Sequence, residues 1–474
     1  MSTQPGQPGQ PGRVVVVGAG MAAQRLAECL VARGHRDVTL LGDEHHLPYN
    51  RILLSAVLEG SHPSRALTLR DADWFTAHGV VLRTGARVLE IDREAREVML
   101  VDGERVPYDH LVLATGAIPT LPPIRGLVRM DGRLHDGVHA FRSLDDCTRL
   151  LAALQGGDGT ARAVVVGGGL LGLQVARALA VREVRTELVE GGEHLLRSQV
   201  GPAAGAALAR DLRLLGTEVY TGARAVRLTG RGLQLDHGHV LDTDLVVLTA
   251  GGRPSTALAR RAGLEVRRGV VVDAALRTSD PAVSALGDCA QRGLRTTGFV
   301  APAWEQAELL AARLTGEPID YDGSRLVARL RASDLEVAVL GDPEREPGEV
   351  IEIANPVRGT HRKLVVREGR LVAASLVGDL SRVGLLTQLF DRGTVMAPHE
   401  PGELLLGDRP PAPVVLGDDA EVCACAGVTA GAIRACRTLT DAVERTRATT
   451  GCGGCAPTVR QLVAARPTLE GASA

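Results

Sequence analysis

Four cysteines near the C-terminus stand as Cys423-Ala-Cys425 and Cys452-Gly-Gly-Cys455, a CxC and a CxxC with 26 residues between them. Four thiolates are the right number for a [2Fe-2S] cluster or for tetrahedral zinc, and the spacing alone decides neither. Two glycine clusters carry a second chemistry. Gly18-Ala19-Gly20-Met21-Ala22-Ala23 reads GxGxxA after a β-branched run, and Gly167-Gly168-Gly169-Leu170-Leu171-Gly172 reads GxGxxG in full. In such a turn Gly18 or Gly167 permits the bend, and Gly20 or Gly169 lets the backbone approach a pyrophosphate. The small Ala23 or Gly172 lets the helix pack closely on the strand, with its N-terminus facing the phosphate charge. An acid at the end of the next strand is expected to take a ribose hydroxyl pair, and Glu44 and Glu190 fill those places. A carboxylate at Glu190 would repel a 2′-phosphate, which favours NADH over NADPH.

The elements that must position these residues are readable around them. Residues 13–18 (RVVVVG) predict a buried parallel strand, residues 21–33 a helix stopped at Gly34, and residues 37–41 a second strand. The same order recurs at residues 162–167, 170–180 and 185–189, so a βαβ unit is duplicated about 150 residues apart. Beyond Tyr321 the pattern changes to strands at 326–330, 335–340, 350–353, 363–366 and 371–376, closed by a helix over 381–391, which predicts a small α+β domain. Residues 401–418, rich in Pro, Gly and Asp, predict a linker.

Composition limits the function classes. Aromatics are 2% of residues and the formal net charge is −2, which argues against a stacking platform or an electrostatic footprint for nucleic acid. Of the 54 basic residues only Lys363 is a lysine. No apolar run is long enough to span a bilayer, and residues 1–12 (MSTQPGQPGQPG) predict a disordered tail rather than a secretory signal. A cytoplasmic, reducing setting is therefore expected, where clustered cysteines bind metal. Cys29, Cys147, Cys289 and Cys436 read as packing residues.

The order GAGMAA, HLPYNRILLS (residues 46–55), YDHLVLATGAIP (108–119), GGGLLG, LTAGGRP (248–254) and ALGDCA (285–290) resembles the two-dinucleotide-binding-domain flavoproteins of the glutathione-reductase and ferredoxin-reductase type, over residues 13–320. The resemblance implies an α/β fold with two Rossmann-like domains: an FAD domain over 13–125 and 251–320 and an NAD domain over 126–250. It implies that Thr115 and Gly116 lie on a crossing strand near the flavin, and that Asp288, after Gly287, holds the ribityl chain. Arg51 would lie along the FAD, the backbone of Val88 would meet the adenine, Trp304 would sit near the isoalloxazine, and Gly251 would serve the NAD side. No side chain is expected to act as nucleophile or base, since the flavin carries the chemistry. Two departures restrict that chemistry. Residues 45–60 hold no redox-active cysteine, which excludes the usual disulfide, peroxide or thiol reductase. A lysine and a glutamate that pair near the flavin in ferredoxin-reductase relatives are Ala56 and Gln174 here.

The flanks VCACAGVTAGAI and TGCGGCAP resemble the bacterioferritin-associated-ferredoxin-like (BFD-like) [2Fe-2S] domain, expected over 419–470. That implies Cys423, Cys425, Cys452 and Cys455 as ligands, with short helices at 429–436 and 440–446. Across most of its length the chain resembles the flavoprotein part of the NADH-dependent nitrite reductase large subunit and the electron-transfer subunits of assimilatory nitrate reductase, through LGDEHHLPYNRILLS, FRSLDD (141–146) and GGGLLGL. The implied order is NADH to FAD to [2Fe-2S] to a separate acceptor, a nitrate or nitrite reductase catalytic protein, because no further cysteine motif for a sirohaem part is present. The competing readings are a flavoprotein subunit of an opine or amino-acid dehydrogenase, a rubredoxin or ferredoxin reductase-like enzyme, and a redox-sensing adaptor. Residues 321–400 pack at the flavin edge or form a dimer surface in relatives, which leaves a homodimer open.

Overall fold

The computed structural model describes residues 12–155, 161–294, 296, 298–323, 327–332, 335–396, 401–405, 416–424, 426–450 and 454–464. The chain divides into two compact units, residues 1–192 with 216–326 and residues 193–215 with 327–474.

In the first unit each glycine fingerprint follows the central strand of a five-stranded parallel sheet. Val14–Val17 lies between Val38–Leu41 and His110–Leu113, with Val81–Arg83 and Val283–Ala285 at the edges. Arg162–Val166 lies between Arg185–Glu190 and Leu245–Leu248, with Glu218–Thr221 and Val138–Ala140 at the edges. Val14–Val17 is buried throughout, as is Ala163–Val166, because helices cover both faces of such a sheet and no polar alternation is tolerated. The helices Met21–Ala32 and Leu170–Val181 follow their fingerprints as expected, to within a residue or two. The duplication extends further than the fingerprints. A three-stranded antiparallel sheet precedes His110–Leu113 (strands Val88–Asp92, Glu97–Leu100 and Arg105–Pro107), and another precedes Leu245–Leu248 (strands Ala225–Thr229, Gly232–Leu235 and Val240–Asp242). The two crossing segments pair with each other, Ala117–Pro119 antiparallel to Gly252–Pro254.

In the second unit a five-stranded antiparallel sheet runs in the order Val327–Ala332, Leu335–Leu340, Arg370–Val377, Thr360–Arg367, Glu349–Asn355. Three of these strands outrun their expected bounds at both ends, since ladder hydrogen bonds extend into polar residues such as Thr360 and Arg362 where the apolar pattern stops. The helix Val383–Arg392 covers one face, where Leu386 and Phe390 join Leu340, Leu364, Val366 and Leu376. The helix Pro202–Leu214 also packs on these strands, although its sequence position falls within residues 126–250.

Of the linker expected over 401–418, residues 406–415 lie outside the described residues, and the two ends are held. Leu405 is buried with the sheet's core and its carbonyl accepts from Arg362. At the other end Arg434 donates to the carbonyl of Leu416 at 2.6 Å. Two apolar residues in a Pro- and Gly-rich run were enough to dock its start. The cysteine-bearing segment forms a hairpin, Glu421–Cys423 with Val428–Thr429, and three helices, Ala430–Arg434, Leu439–Thr446 and Ala456–Ala464. The first is shorter than expected at both ends and the second begins a residue earlier, their starts set by Thr429 and Thr438 as N-caps, and the third adds to the two that the sequence predicts.

Candidate functional site

The two fingerprints share one geometry. Gly18 and Gly167 adopt φ of +113° and +116°, a left-handed region that glycine occupies without strain. A Cβ on Gly18 would stand 2.3 Å from the carbonyl oxygen of Ala114, and one on Gly167 2.7 Å from that of Thr249. Gly20 and Gly169 face the other way: a Cβ there would meet nothing within 4 Å. Each loop thus leaves an opening beside the first amides of its helix, which is what a pyrophosphate requires. The third position separates the copies. Ala23 carries a methyl and is fully buried, whereas a methyl on Gly172 would lie 1.8 Å from the Gly167 oxygen.

Around the first fingerprint the charged residues form a chain. Glu44 accepts from the Tyr49 hydroxyl at 2.7 Å and ion-pairs with Arg51 through its other oxygen. Burial pushes the Tyr49 phenol up, so it stays a donor, while its oxygen accepts from the Leu144 amide at 2.9 Å. Arg51 also donates to the Arg142 carbonyl at 3.1 Å, and the Arg142 guanidinium pairs with Asp288 at 2.8 Å. Burial raises the Asp288 carboxyl above the usual carboxylate range, against the pull of Arg142 and Arg51. Glu44, Arg51 and Asp288, named from sequence, are therefore brought together; Tyr49 and Arg142, inside the quoted HLPYNR and FRSLDD runs, are the members that sequence reasoning missed. Both Glu44 oxygens are engaged, but each carboxylate oxygen keeps a second lone pair for a ribose hydroxyl.

The remaining positions on this side are held by backbone. Thr115 donates to the Ser255 carbonyl at 2.7 Å, and Gly116, at φ +65°, accepts from the Ser255 amide. Gly287, at φ +71°, donates to Gln306 at 2.7 Å, and Gln306 donates to the buried Tyr321 hydroxyl. Val88 begins its strand, buried, beside a register irregularity. Trp304, on the Val300–Leu314 helix, has Arg25 over its ring at 5.6 Å, and its buried indole Nε1 has no hydrogen-bond partner among the described residues. A buried indole N–H normally finds an acceptor, so the site is short of one. Cys289 lies against this region but packs: it is fully buried, donates to the carbonyls of Leu113 and Leu286, and burial pushes its thiol up.

On the second fingerprint Glu190 accepts from the Gly168 amide at 2.7 Å with one oxygen and from the Gly192 amide at 2.6 Å with the other. Its carboxylate is thereby fixed at the strand end. Gly251, at φ +90°, accepts from the Thr120 amide in the paired crossing strands.

In the C-terminal segment Cys423 and Cys455 are buried in one small core with Ile433 and Val459. The Thr449 amide donates to the Cys455 sulfur at 3.2 Å, from a backbone with φ +72° that a β-branched residue rarely adopts. An amide aimed at a cysteine sulfur suits a thiolate ligand. Cys425 and Cys452 lie outside the described residues. Cys436 is buried and donates to the Ala432 carbonyl, as a packing residue would.

Residues 12–307 match the pyridine nucleotide-disulphide oxidoreductase family. The chain belongs to that family. Residues 421–465 match the BFD-like [2Fe-2S] binding domain, and residues 327–394 the rubredoxin NAD+ reductase C-terminal domain. Membership brings FAD and NAD(P)H as cofactors of an oxidoreductase, and the BFD-like domain brings a [2Fe-2S] cluster rather than zinc. Among curated relatives, the nitrite reductase [NAD(P)H] of Bacillus subtilis (strain 168) is 33% identical over 95% of this chain and 57% of its own length. The assimilatory nitrate reductase electron transfer subunit of the same organism is 31% identical over 95% of this chain and 59% of its own length. The chain thus spans little more than half of each. The covalent putidaredoxin reductase-putidaredoxin complex aligns with a TM-score of 0.73 and 28% identity, over 83% of this chain and 95% of that one. Among the described residues no helix is long and apolar enough to cross a membrane.

Proposed function

We propose that the protein is an NADH-dependent electron-transfer oxidoreductase of the cytoplasm that delivers electrons singly to a separate catalytic protein, an assimilatory nitrate or nitrite reductase. The observation that carries this reading is the presence, in one chain, of two open glycine fingerprints and a buried cysteine pair in a [2Fe-2S]-type domain. A bound flavin accepts an electron pair from a dihydronicotinamide and releases it one electron at a time, which is the currency of a [2Fe-2S] cluster.

The chain's own residues then bind and orient. Gly18 and Gly20 cradle the FAD pyrophosphate while the buried Ala23 lets the helix pack on its strand, and Glu44 takes the ribose while holding Arg51 toward the phosphates. Asp288, kept in place by Arg142, meets the ribityl chain; Thr115, Gly116, Gly287 and the backbone of Val88 line the same nucleotide, and Trp304 offers its unpaired N–H there. Gly167, Gly169 and Gly251 line the nicotinamide dinucleotide, Gly172 lets the helix pack against the first turn of the loop, and the fixed carboxylate of Glu190 selects NADH. Cys423, Cys425, Cys452 and Cys455 hold the cluster. No residue needs to act as a nucleophile.

Oxygen-free purification followed by visible spectroscopy and iron analysis tests the cofactor set, and stopped-flow mixing with NADH tests the direction of flow. The expected result is rapid bleaching of the flavin by NADH, slower bleaching by NADPH, reduction of an artificial one-electron acceptor, and no ammonia from nitrite by this chain alone. Zinc in place of iron, or bleaching by a secondary amine and not by NADH, overturns the proposal.

A further inference from the structure

We infer that the ion pair between Glu59 and Arg177 is a latch that sets how the two nucleotides meet, an inference that rests on the reading above. Glu59 ends the six-residue helix Leu54–Glu59, which begins three residues after Arg51 in the chain of charges on the flavin side. Arg177 lies on Leu170–Val181, the helix that opens at the second fingerprint. The two helices pack on each other. Across that contact Arg177 Nη1 stands 2.8 Å from Glu59 Oε2, with side-chain exposures of 10% and 21%. Arg182, just past the end of the longer helix, donates through Nε to the carbonyl of Leu58.

A six-residue helix has no stability of its own and takes its position from its neighbours. Leu54, Val57 and Leu58 supply the buried face, but apolar contact is non-directional and leaves sliding along the partner helix open. A guanidinium–carboxylate contact in a nearly dry interface fixes that register. The placement also needs Arg177 for a local reason. A carboxylate on the last residue of a helix is repelled by that helix's own terminal carbonyls; the Arg177 guanidinium meets the carboxylate, and Arg182 donates to the terminal carbonyl of Leu58. One turn earlier on the same two helices, Ala56 and Gln174 carry no charge. Glu59 and Arg177 thus form an interhelical ion pair at this contact, and they are positioning residues.

The test uses the purified holoprotein with Arg177→Met, Arg177→Lys and Glu59→Gln, reading three quantities: the limiting rate of flavin reduction at saturating NADH, the dissociation constant of NAD+, and amide exchange over residues 54–60 and 170–182. Since a displacement near 1 Å between reacting groups costs up to about 100-fold, Arg177→Met is expected to slow flavin reduction by about tenfold, with NAD+ affinity within about twofold of wild type and faster exchange in both helices. Arg177→Lys should recover most of the rate. A rate within about twofold of wild type in Arg177→Met overturns the latch, as does a loss of NAD+ affinity that matches the loss of rate. Should Arg177→Met not fold, Glu59→Gln carries the same criteria. If wild-type flavin is not reduced by NADH, the functional reading has failed, and unchanged exchange in Glu59→Gln then separately rejects the latch.

Discussion

Alanine at Gly169 and alanine at Gly172 should have opposite consequences, although the two sites are three residues apart. Gly169 sits at φ −78° and ψ 179°, accessible to any residue, and a Cβ meets nothing within 4 Å. Without nucleotide, Gly169→Ala is therefore expected to be neutral or to stabilise by about 0.4–1 kcal/mol through the unfolded chain. Its methyl would stand in the opening where a pyrophosphate meets the backbone. Loss of one hydrogen bond to a charged group costs about 1.5–3 kcal/mol, or roughly 10- to 100-fold in NADH affinity. At Gly172 a Cβ would fall 1.8 Å from the Gly167 oxygen and 2.9 Å from Thr249 Oγ1. The helix would have to retreat by about an ångström from a main-chain atom that cannot rotate away, which places the penalty toward the upper end of the roughly 1–3 kcal/mol seen for overpacking. At about 2–4 °C per kcal/mol for a unit of this size, Tm should fall by about 5–10 °C. Thermal melting without nucleotide and an NADH titration followed by fluorescence separate the two effects, with flavin content unchanged in both. A Gly169→Ala protein that binds NADH like wild type, or a Gly172→Ala protein that melts with it, would falsify this account of the fingerprint.

Three shorter predictions concern other parts of the chain. His110 is packed against Ser284 and Arg313, and burial, then Arg313 and Arg277, push its pKa down to about 3. The folded chain thus binds fewer protons than the unfolded one between that value and about 6.5, so stability should drop as pH falls through this window, by at most about 1.4 kcal/mol per pH unit. His110→Gln should flatten the acid limb of a urea-unfolding series, and an unchanged slope removes His110 as its source. Cys455→Ser should keep FAD and lose iron; full iron occupancy by elemental analysis would take Cys455 out of the ligand set. Thr449→Gly should relieve strain of about 1–2 kcal/mol at φ +72° and raise the melting of the C-terminal segment, and a lowered transition would show that the backbone there is not strained.

What the sequence discloses of this molecule depends on how local each constraint is. The fingerprints are legible because a bend, an open approach and a close helix crossing all fall within six residues, and each demands a small side chain. The buried parallel strands are legible for a related reason, since residues 14–17 and 163–166 show unbroken apolar runs that only a doubly covered sheet explains. The cysteine domain could be identified by its flanks, but its third helix, Ala456–Ala464, follows directly on Cys455 and offers no separate start signal. The charged contacts were out of reach. Arg142 and Asp288 are 146 residues apart, and Arg177 and Glu59 are 118 apart. With 54 basic and 56 acidic side chains in the chain, no spacing rule could choose among the conceivable pairs. Tertiary packing makes the choice. Arg177 and Glu59 meet because one helix grows from a glycine turn and the other is seated on it, and Arg142 meets Asp288 because the strand before Arg142 ends beside the crossing strands, where Arg142 Nε donates to the Ala117 carbonyl at 3.0 Å. In a protein whose chemistry resides in its cofactors, those long-range contacts are the chain's main means of influencing rate, since placing the reacting groups is what remains for the side chains to do.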